Sequence, residues 1–142
     1  MTSCVFVTSA VPASAGEKTV SVHVTITNLR NVKGLVHACM SADPERFTRC
    51  EEGDGSYQVT MRAADGRAFD FENVVPGTYA IALLHDENEN DRVDRFLSMI
   101  PREGFGFSRD APVSFGPPDF EDAAFDVGVA DVNQTIRMRY LL

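Results

Sequence analysis

No stretch of the chain approaches the ~20 consecutive apolar residues that a membrane span requires. No segment carries a 3.6-residue hydrophobic period over ten or more positions, which argues against a helical bundle. Basic residues are scarce: 13 Lys and Arg stand against 21 Asp and Glu, for a net charge of −8. Phosphate backbones and anionic membrane surfaces are bound through Lys and Arg, so nucleic acid and lipid surfaces are poor candidate partners. Also missing are a Gly-x-Ser-x-Gly elbow, a His-Glu-x-x-His helix and a glycine-rich phosphate loop. Internal repeats and linkers are absent too. What is present is an ordinary globular composition, 44% hydrophobic and 24% charged over 142 residues. A chain of that length buries roughly 68–70% of its unfolded surface and can hold a full core.

Cysteine is sparse, three in all. The first lies in Met1–Gly16, where a short apolar stretch, Cys4–Val11, runs into Ala13-Ser14-Ala15. That pattern reads as the tail of a secretory signal peptide, so residues 1–15 are expected to be removed or disordered and 16–142 to form one domain. Setting Cys4 aside leaves Cys39 and Cys50, which flank the polar segment Met40–Arg49. Two cysteines are too few for a zinc site of the usual kind. A disulfide closing a loop of about a dozen residues contributes roughly 3 kcal/mol in an oxidising compartment. Both signals point to export, to a periplasmic or extracellular location; the competing readings are an N-terminal strand or disordered tail, and two free buried thiols in a cytosolic protein.

Alternation dominates from Thr19 onward. Val20, Val22, Val24 and Ile26 point one way, with Ser21, His23, Thr25 and Thr27 between them, the signature of a half-buried strand. Leu35–Met40 follows after the polar turn Asn28–Gly34, and the spacing suggests a hairpin. Tyr57–Arg62 alternates again, and Ala64-Asp65-Gly66 suits a hairpin turn into a strand with Phe69 and Phe71 on one face. Pro76-Gly77 suits a type II turn before Thr78–His85, which is apolar on both faces and so reads as a central strand. Ala123–Val129 and Thr135–Leu142 read as a final pair, and Asp119 as the cap of a single turn, Phe120–Ala124. The whole is an all-β domain of about seven or eight strands, most economically a two-sheet β-sandwich.

One stretch breaks the rhythm. Asp86–Asp122 shows no clear strand, yet it holds Phe96, Phe105, Phe107, Phe115 and Phe120. Gly104, Gly106 and Gly116 permit tight turns, while Pro101, Pro112, Pro117 and Pro118 stiffen the chain. A long loop of this composition is expected to be ordered and packed on the sandwich. Its phenylalanines either plug the end of the core or line a ligand groove.

Three runs in this loop carry a resemblance. They are His85-Asp86-Glu87-Asn88-Glu89-Asn90-Asp91-Arg92-Val93-Asp94, then Ile100–Ser108, then Phe115-Gly116-Pro117-Pro118-Asp119-Phe120. Together with Val75–Ala80 they resemble a bacterial family known as domain of unknown function 2141. The resemblance implies an exported all-β protein and no particular chemistry. Separately, Pro-Gly-Thr-Tyr entering a central strand is similar to the turn of prealbumin-like sandwiches, so the sandwich is expected to be immunoglobulin-like or prealbumin-like.

The strongest local constellation is Asp86-x-Asn88-x-Asn90-x-x-x-Asp94. Oxygens at alternate positions can wrap a calcium ion, with the Arg92 carbonyl as a further ligand. Asp91 stands where a calcium loop has glycine, and Leu97 where it has its bidentate Glu; Glu103 could substitute only if the chain folds back. The competing reading is an Asx-turn cluster that satisfies its own backbone. Among the histidines, His23 is expected at the surface. His85 is placed to hydrogen-bond a loop carboxylate, or to act in a hydrolase with Asp86 or Glu103. His85, Glu103, Phe105, Phe107 and Phe115 are the candidate ligand-binding set for a protein or small molecule. A transition-metal site of two histidines and a carboxylate is a further alternative. The reading favoured by sequence is an exported, non-enzymatic binding module, with a structural envelope protein as the plainer alternative.

Overall fold

The computed structural model describes residues 18–51, 53–87, 104–113 and 116–140. The expected signal segment, with Cys4, lies outside the described residues.

Eight strands are present among the described residues: β1 (Val20–Thr27), β2 (Leu35–Ser41), β3 (Tyr57–Arg62), β4 (Ala68–Val74), β5 (Gly77–Asp86), β6 (Gly104–Phe107), β7 (Phe125–Val127) and β8 (Val132–Arg137). They form two facing sheets, as a sandwich requires. The smaller has the order β4-β1-β8, with β1 antiparallel to β4 and parallel to β8. The larger has the order β3-β2-β5-β6, with β7 also on β5. The apolar stripe of β1 is buried as its alternation demands, and so is nearly all of β5. Between the sheets lie Val22, Val24, Ile26, Val36, Met40, Phe71, Ile81, Leu83, Ile136 and Met138.

Three expected strand pairings are corrected. β1 and β2 are not a hairpin, nor are β3 and β4, nor β7 and β8; each pair is divided between the two sheets or, for β7 and β8, joined to β5 and β1. The reason is burial. The stripe Val20-Val22-Val24-Ile26 and the stripe Val36-Ala38-Met40 cover each other only when they face across a core. Asn28 (φ 65°) starts the first crossing, and the 3-10 turn Ala63–Asp65 with Gly66 makes the second. The expected type II turn is also corrected. Gly77 already begins β5 without positive φ, and the left-handed residue is Asn73 (φ 56°). Two tyrosines pin this corner: the Val75 N–H donates to Tyr57 Oη (3.2 Å), and Tyr79 O–H donates to the Val75 carbonyl (2.7 Å).

The larger sheet is buried on its outer face as well. Ala80, Ala82, Leu84, Phe105 and Phe107 there meet Phe47, Ala111 and Ala123 in a second core. Phe47 packs edge-on to Phe107 and Phe120, with centroids 6.3 and 5.7 Å apart. The Cys39–Cys50 disulfide, Cα atoms 5.8 Å apart, staples the segment that carries Phe47 onto this face. A short helix, α1 (Phe120–Ala123), covers another part of it. Asp119 is its N-cap residue, but the Asp122 N–H donates to the Asp119 carbonyl (3.0 Å) and not to the Asp119 side chain.

A strand, β6, stands inside the stretch expected to have none, and its glycines make no turns. Adding a Cβ at Gly104 would meet the Tyr140 ring at 2.3 Å, and at Gly106 the Arg137 carbonyl at 2.8 Å. One face of Gly-Phe-Gly-Phe is bare so that the tail after β8 can cross it; the other supplies Phe105 and Phe107 to the second core. The crossing is fixed by a bridge, Phe105 N–H to the Arg139 carbonyl (3.0 Å) and the reverse bond (2.8 Å). Between β6 and β7 the edge of β5 would be left unpaired at Ile81. Ser108 fills the gap, accepting from the Ile81 N–H (2.9 Å) and donating to the Ala123 carbonyl (2.5 Å).

Candidate functional site

The site lies at the end of β5, at Asp86 and the adjoining Glu87. Successive strand residues face opposite ways, so His85 and Asp86 cannot act together as neighbours. His85 points between the sheets; Asp86 points to the outer face. Both are fully buried.

His85 Nε2 is 2.8 Å from the Lys33 carbonyl, which can only accept, and Nδ1 is 2.8 Å from Tyr140 Oη. In the neutral ring the proton therefore sits on Nε2, and Nδ1 accepts from the Tyr140 hydroxyl. Burial pushes the Tyr140 phenol above its ordinary range, which keeps that hydroxyl a donor. The Tyr140 oxygen accepts in turn from the Arg30 N–H (3.2 Å), and the Arg30 guanidinium lies 4.4 Å from the Tyr140 ring centroid. The expected bond from His85 to a loop carboxylate is thus corrected. A carbonyl and a phenol hold the ring instead, and its lone pair is already engaged.

The histidine that meets a carboxylate is His37 of β2. Its Nε2 is 3.2 Å from Asp86 Oδ2 and its Nδ1 is 3.2 Å from Thr60 Oγ1 on β3. Nothing in the sequence joins these three positions. The one available signal was a histidine within the otherwise apolar run Leu35–Met40.

Glu87 completes the anchor. Arg30 grips it in two-pronged fashion, Nε to Oε1 at 2.8 Å and Nη2 to Oε2 at 2.6 Å, and Asn31 Nδ2 adds a bond of 2.5 Å. The Arg30 hydrogen bonds hold the Glu87 carboxyl down at about 2, against a desolvation effect that would raise it. Gly34 fits beneath this corner only as glycine. Its φ is +69°, and a Cβ would stand 2.0 Å from the Asp86 carbonyl.

Of the residues singled out in the sequence, Asn88, Asn90, Arg92, Asp94, Glu103 and Phe115 lie outside the described residues. Phe105 and Phe107 are core residues behind β5, 4% and 2% exposed, which is the core-plugging arrangement and not the wall of a groove. Asp86 Oδ2 is engaged by His37. Among the described residues, no three His, Cys, Asp or Glu side chains are grouped to hold a metal ion. His23 is at the surface as expected, between Asp70 (2.6 Å) and Asp131 (3.3 Å), whose hydrogen bonds raise its pKa above the usual 6.5.

The sequence model of the family described as "Uncharacterized protein conserved in bacteria (DUF2141)" matches residues 24–136. No curated protein matches the chain. Among solved structures, a pilus-presented adhesin, Spy0125 (Cpa), matches at 11% identity and a TM-score of 0.38. The match covers 88% of this chain and only 28% of the adhesin chain. Among the described residues no helix is long and apolar enough to cross a membrane.

Proposed function

The chain belongs to this uncharacterized bacterial family, DUF2141, and from that premise we propose that it is an exported binding module acting through the segment that follows Glu87. In this reading residues 16–142 are its one domain, and the ligand is a protein surface or a small molecule. The observation that carries the reading is the anchoring of the segment's start. Asp86 is held by His37, and Glu87 by Arg30 and Asn31, on a strand paired with β2 from Ala80 to Asp86. Binding groups are effective when a rigid element displays them, and this corner is such an element. The Cys39–Cys50 bond supports an oxidising compartment. The engaged nitrogens of His85 favour binding over a hydrolase built on that residue.

Calcium is the cation this reading assigns to residues 86–94. Beyond Asp86 and Glu87, which His37 and Arg30 already engage, Glu89, Asp91 and Asp94 crowd three more acids into six positions, and a divalent cation would relieve their repulsion. Exported calcium modules bind at about 10⁻⁴–10⁻³ M, and a loop without its bidentate Glu belongs at that weak end. At about 1 mM free calcium, mass action then adds roughly 0.4–1.4 kcal/mol of stability, or about 1–6 °C in melting temperature. The test is a melt in calcium, magnesium and chelator at matched ionic strength, on the protein and on Asp94→Ala. A rise specific to calcium and lost in Asp94→Ala is expected. Equal melting in calcium and chelator removes the cation from the reading.

A further inference from the structure

We propose that Thr60 is an activated nucleophile for acyl transfer from small carboxylic esters, with His37 as its general base and Asp86 as the group that orients His37. This goes beyond the binding reading and does not depend on it.

The three side chains form one hydrogen-bonded line across β3, β2 and β5. Asp86 Oδ2 accepts from His37 Nε2–H at 3.2 Å, and in the neutral ring Nδ1 then turns a lone pair to Thr60 Oγ1 at 3.2 Å. The polarity is that of a base poised to take a hydroxyl proton, with an acceptor behind the ring to hold its tautomer. Burial falls along the line in the sense such a site needs. Asp86 is fully buried, His37 is 7% exposed, and Thr60 is open to solvent. Packing alone does not ask for this set. Much of the same face is apolar, with Ala80, Ala82, Leu84, Phe105 and Phe107, and an apolar pair in place of a buried histidine and carboxylate is often no less stable.

Strand register supplies a further element. Leu35 stands opposite Arg62, and the Ala63 N–H donates to the Gly34 carbonyl at 3.0 Å. That bond sets the phase of the ladder: positions 34/63, 36/61 and 38/59 exchange hydrogen bonds, and His37/Thr60 is a pair that does not. Side chains are closest in such pairs, which is why His37 reaches Thr60. The Thr60 N–H then points away from β2, toward the open edge of β3, the outermost strand of its sheet. A nucleophile's own backbone N–H is one of the donors that receive a developing oxyanion.

The step balances without a cofactor. Thr60 Oγ attacks the ester carbonyl carbon while its proton passes to His37 Nδ1. The tetrahedral adduct collapses, the bond to the alcohol oxygen breaks, and His37 returns the proton to the departing alcohol. Water then attacks the acyl-Thr60 ester, losing a proton to His37. The bond to Thr60 Oγ breaks, Thr60 recovers its proton, and a carboxylic acid leaves.

The experiment treats the full chain, disulfide intact, with an alkyl fluorophosphonate and separately with p-nitrophenyl acetate. It follows adduct formation by peptide mapping and nitrophenolate release by absorbance. The expected result is a single adduct on Thr60, absent in Thr60→Val, kept in Thr60→Ser and unaffected by Thr135→Val, an exposed threonine of β8. Asp86→Asn and His37→Gln should slow it by about 10²-fold, the contribution of a positioned general base. Labelling of Thr60 no faster than that of Thr135 overturns the proposal, whether or not the two buried variants fold. So does a rate unchanged in a folded Asp86→Asn protein.

Discussion

Tyr140 donates its hydroxyl to His85 Nδ1 over 2.8 Å, with the two rings edge-on at 5.9 Å. Since the same oxygen accepts from the Arg30 N–H, one phenol joins the tail after β8, the loop after β1 and the end of β5. Removing it in Tyr140→Phe leaves a buried imidazole nitrogen without its donor. Such a loss costs about 1–3 kcal/mol, or about 3–10 °C in the melting temperature of a domain of this length. Thermal melts of the two proteins check it. An unchanged melting temperature would show that the phenol's packing, not its hydroxyl, makes the join.

Glu87 sets an acid limit on stability. Its folded pKa, about 2, lies below the ordinary 4.5, so its stabilising effect is complete above the unfolded value and is lost as pH falls from about 4.5 through 2. The Arg30 bonds are the main cause, and the side chain is 19% exposed. A loss of roughly 2–3 kcal/mol across that window is expected. Chemical denaturation at a series of pH values should show this component in the protein and lose it in Glu87→Gln. An identical acid limb in both would assign the loss to other carboxylates.

Gly34 is required by space as well as by backbone conformation. A methyl group there would stand 2.0 Å from the Asp86 carbonyl and 2.8 Å from Glu87 Cα, at φ +69°. Gly34→Ala should therefore cost at least about 3 kcal/mol, the sum of a strained left-handed residue and a clash with backbone. Denaturant melts give the value directly. A loss below 1 kcal/mol, on the order of an ordinary surface substitution, would mean that the end of β5 shifts freely.

The strands themselves were legible because alternation reports burial one strand at a time. β1, β3 and the apolar-on-both-faces β5 stand where the sequence puts them. Pairing was not legible. Proximity in the chain suggested hairpins, whereas the facing stripes of β1 and β2 require opposite sheets. β6 escaped notice because Gly-Phe-Gly-Phe is only four residues long, and glycine reads as a turn former until Tyr140 and Arg137 are seen lying across it. The site was half legible. Asp86 stood out as the first of a run of acids, but its partner His37 is 49 positions away. Long-range cross-strand partners leave no local signature.

The most direct test of an anchored platform at the end of β5 is hydrogen exchange at single amides, comparing Asp86 with Leu84. Both residues pair with β2, opposite Leu35 and His37. A fixed corner predicts protection of Asp86 within about tenfold of Leu84, with both opening only in the larger unfolding events of the sheet. Exchange at Asp86 about 10³-fold faster than at Leu84 would place some 4 kcal/mol between local and larger opening. That result would contradict the platform, because the segment after Glu87 would then leave from a frayed strand.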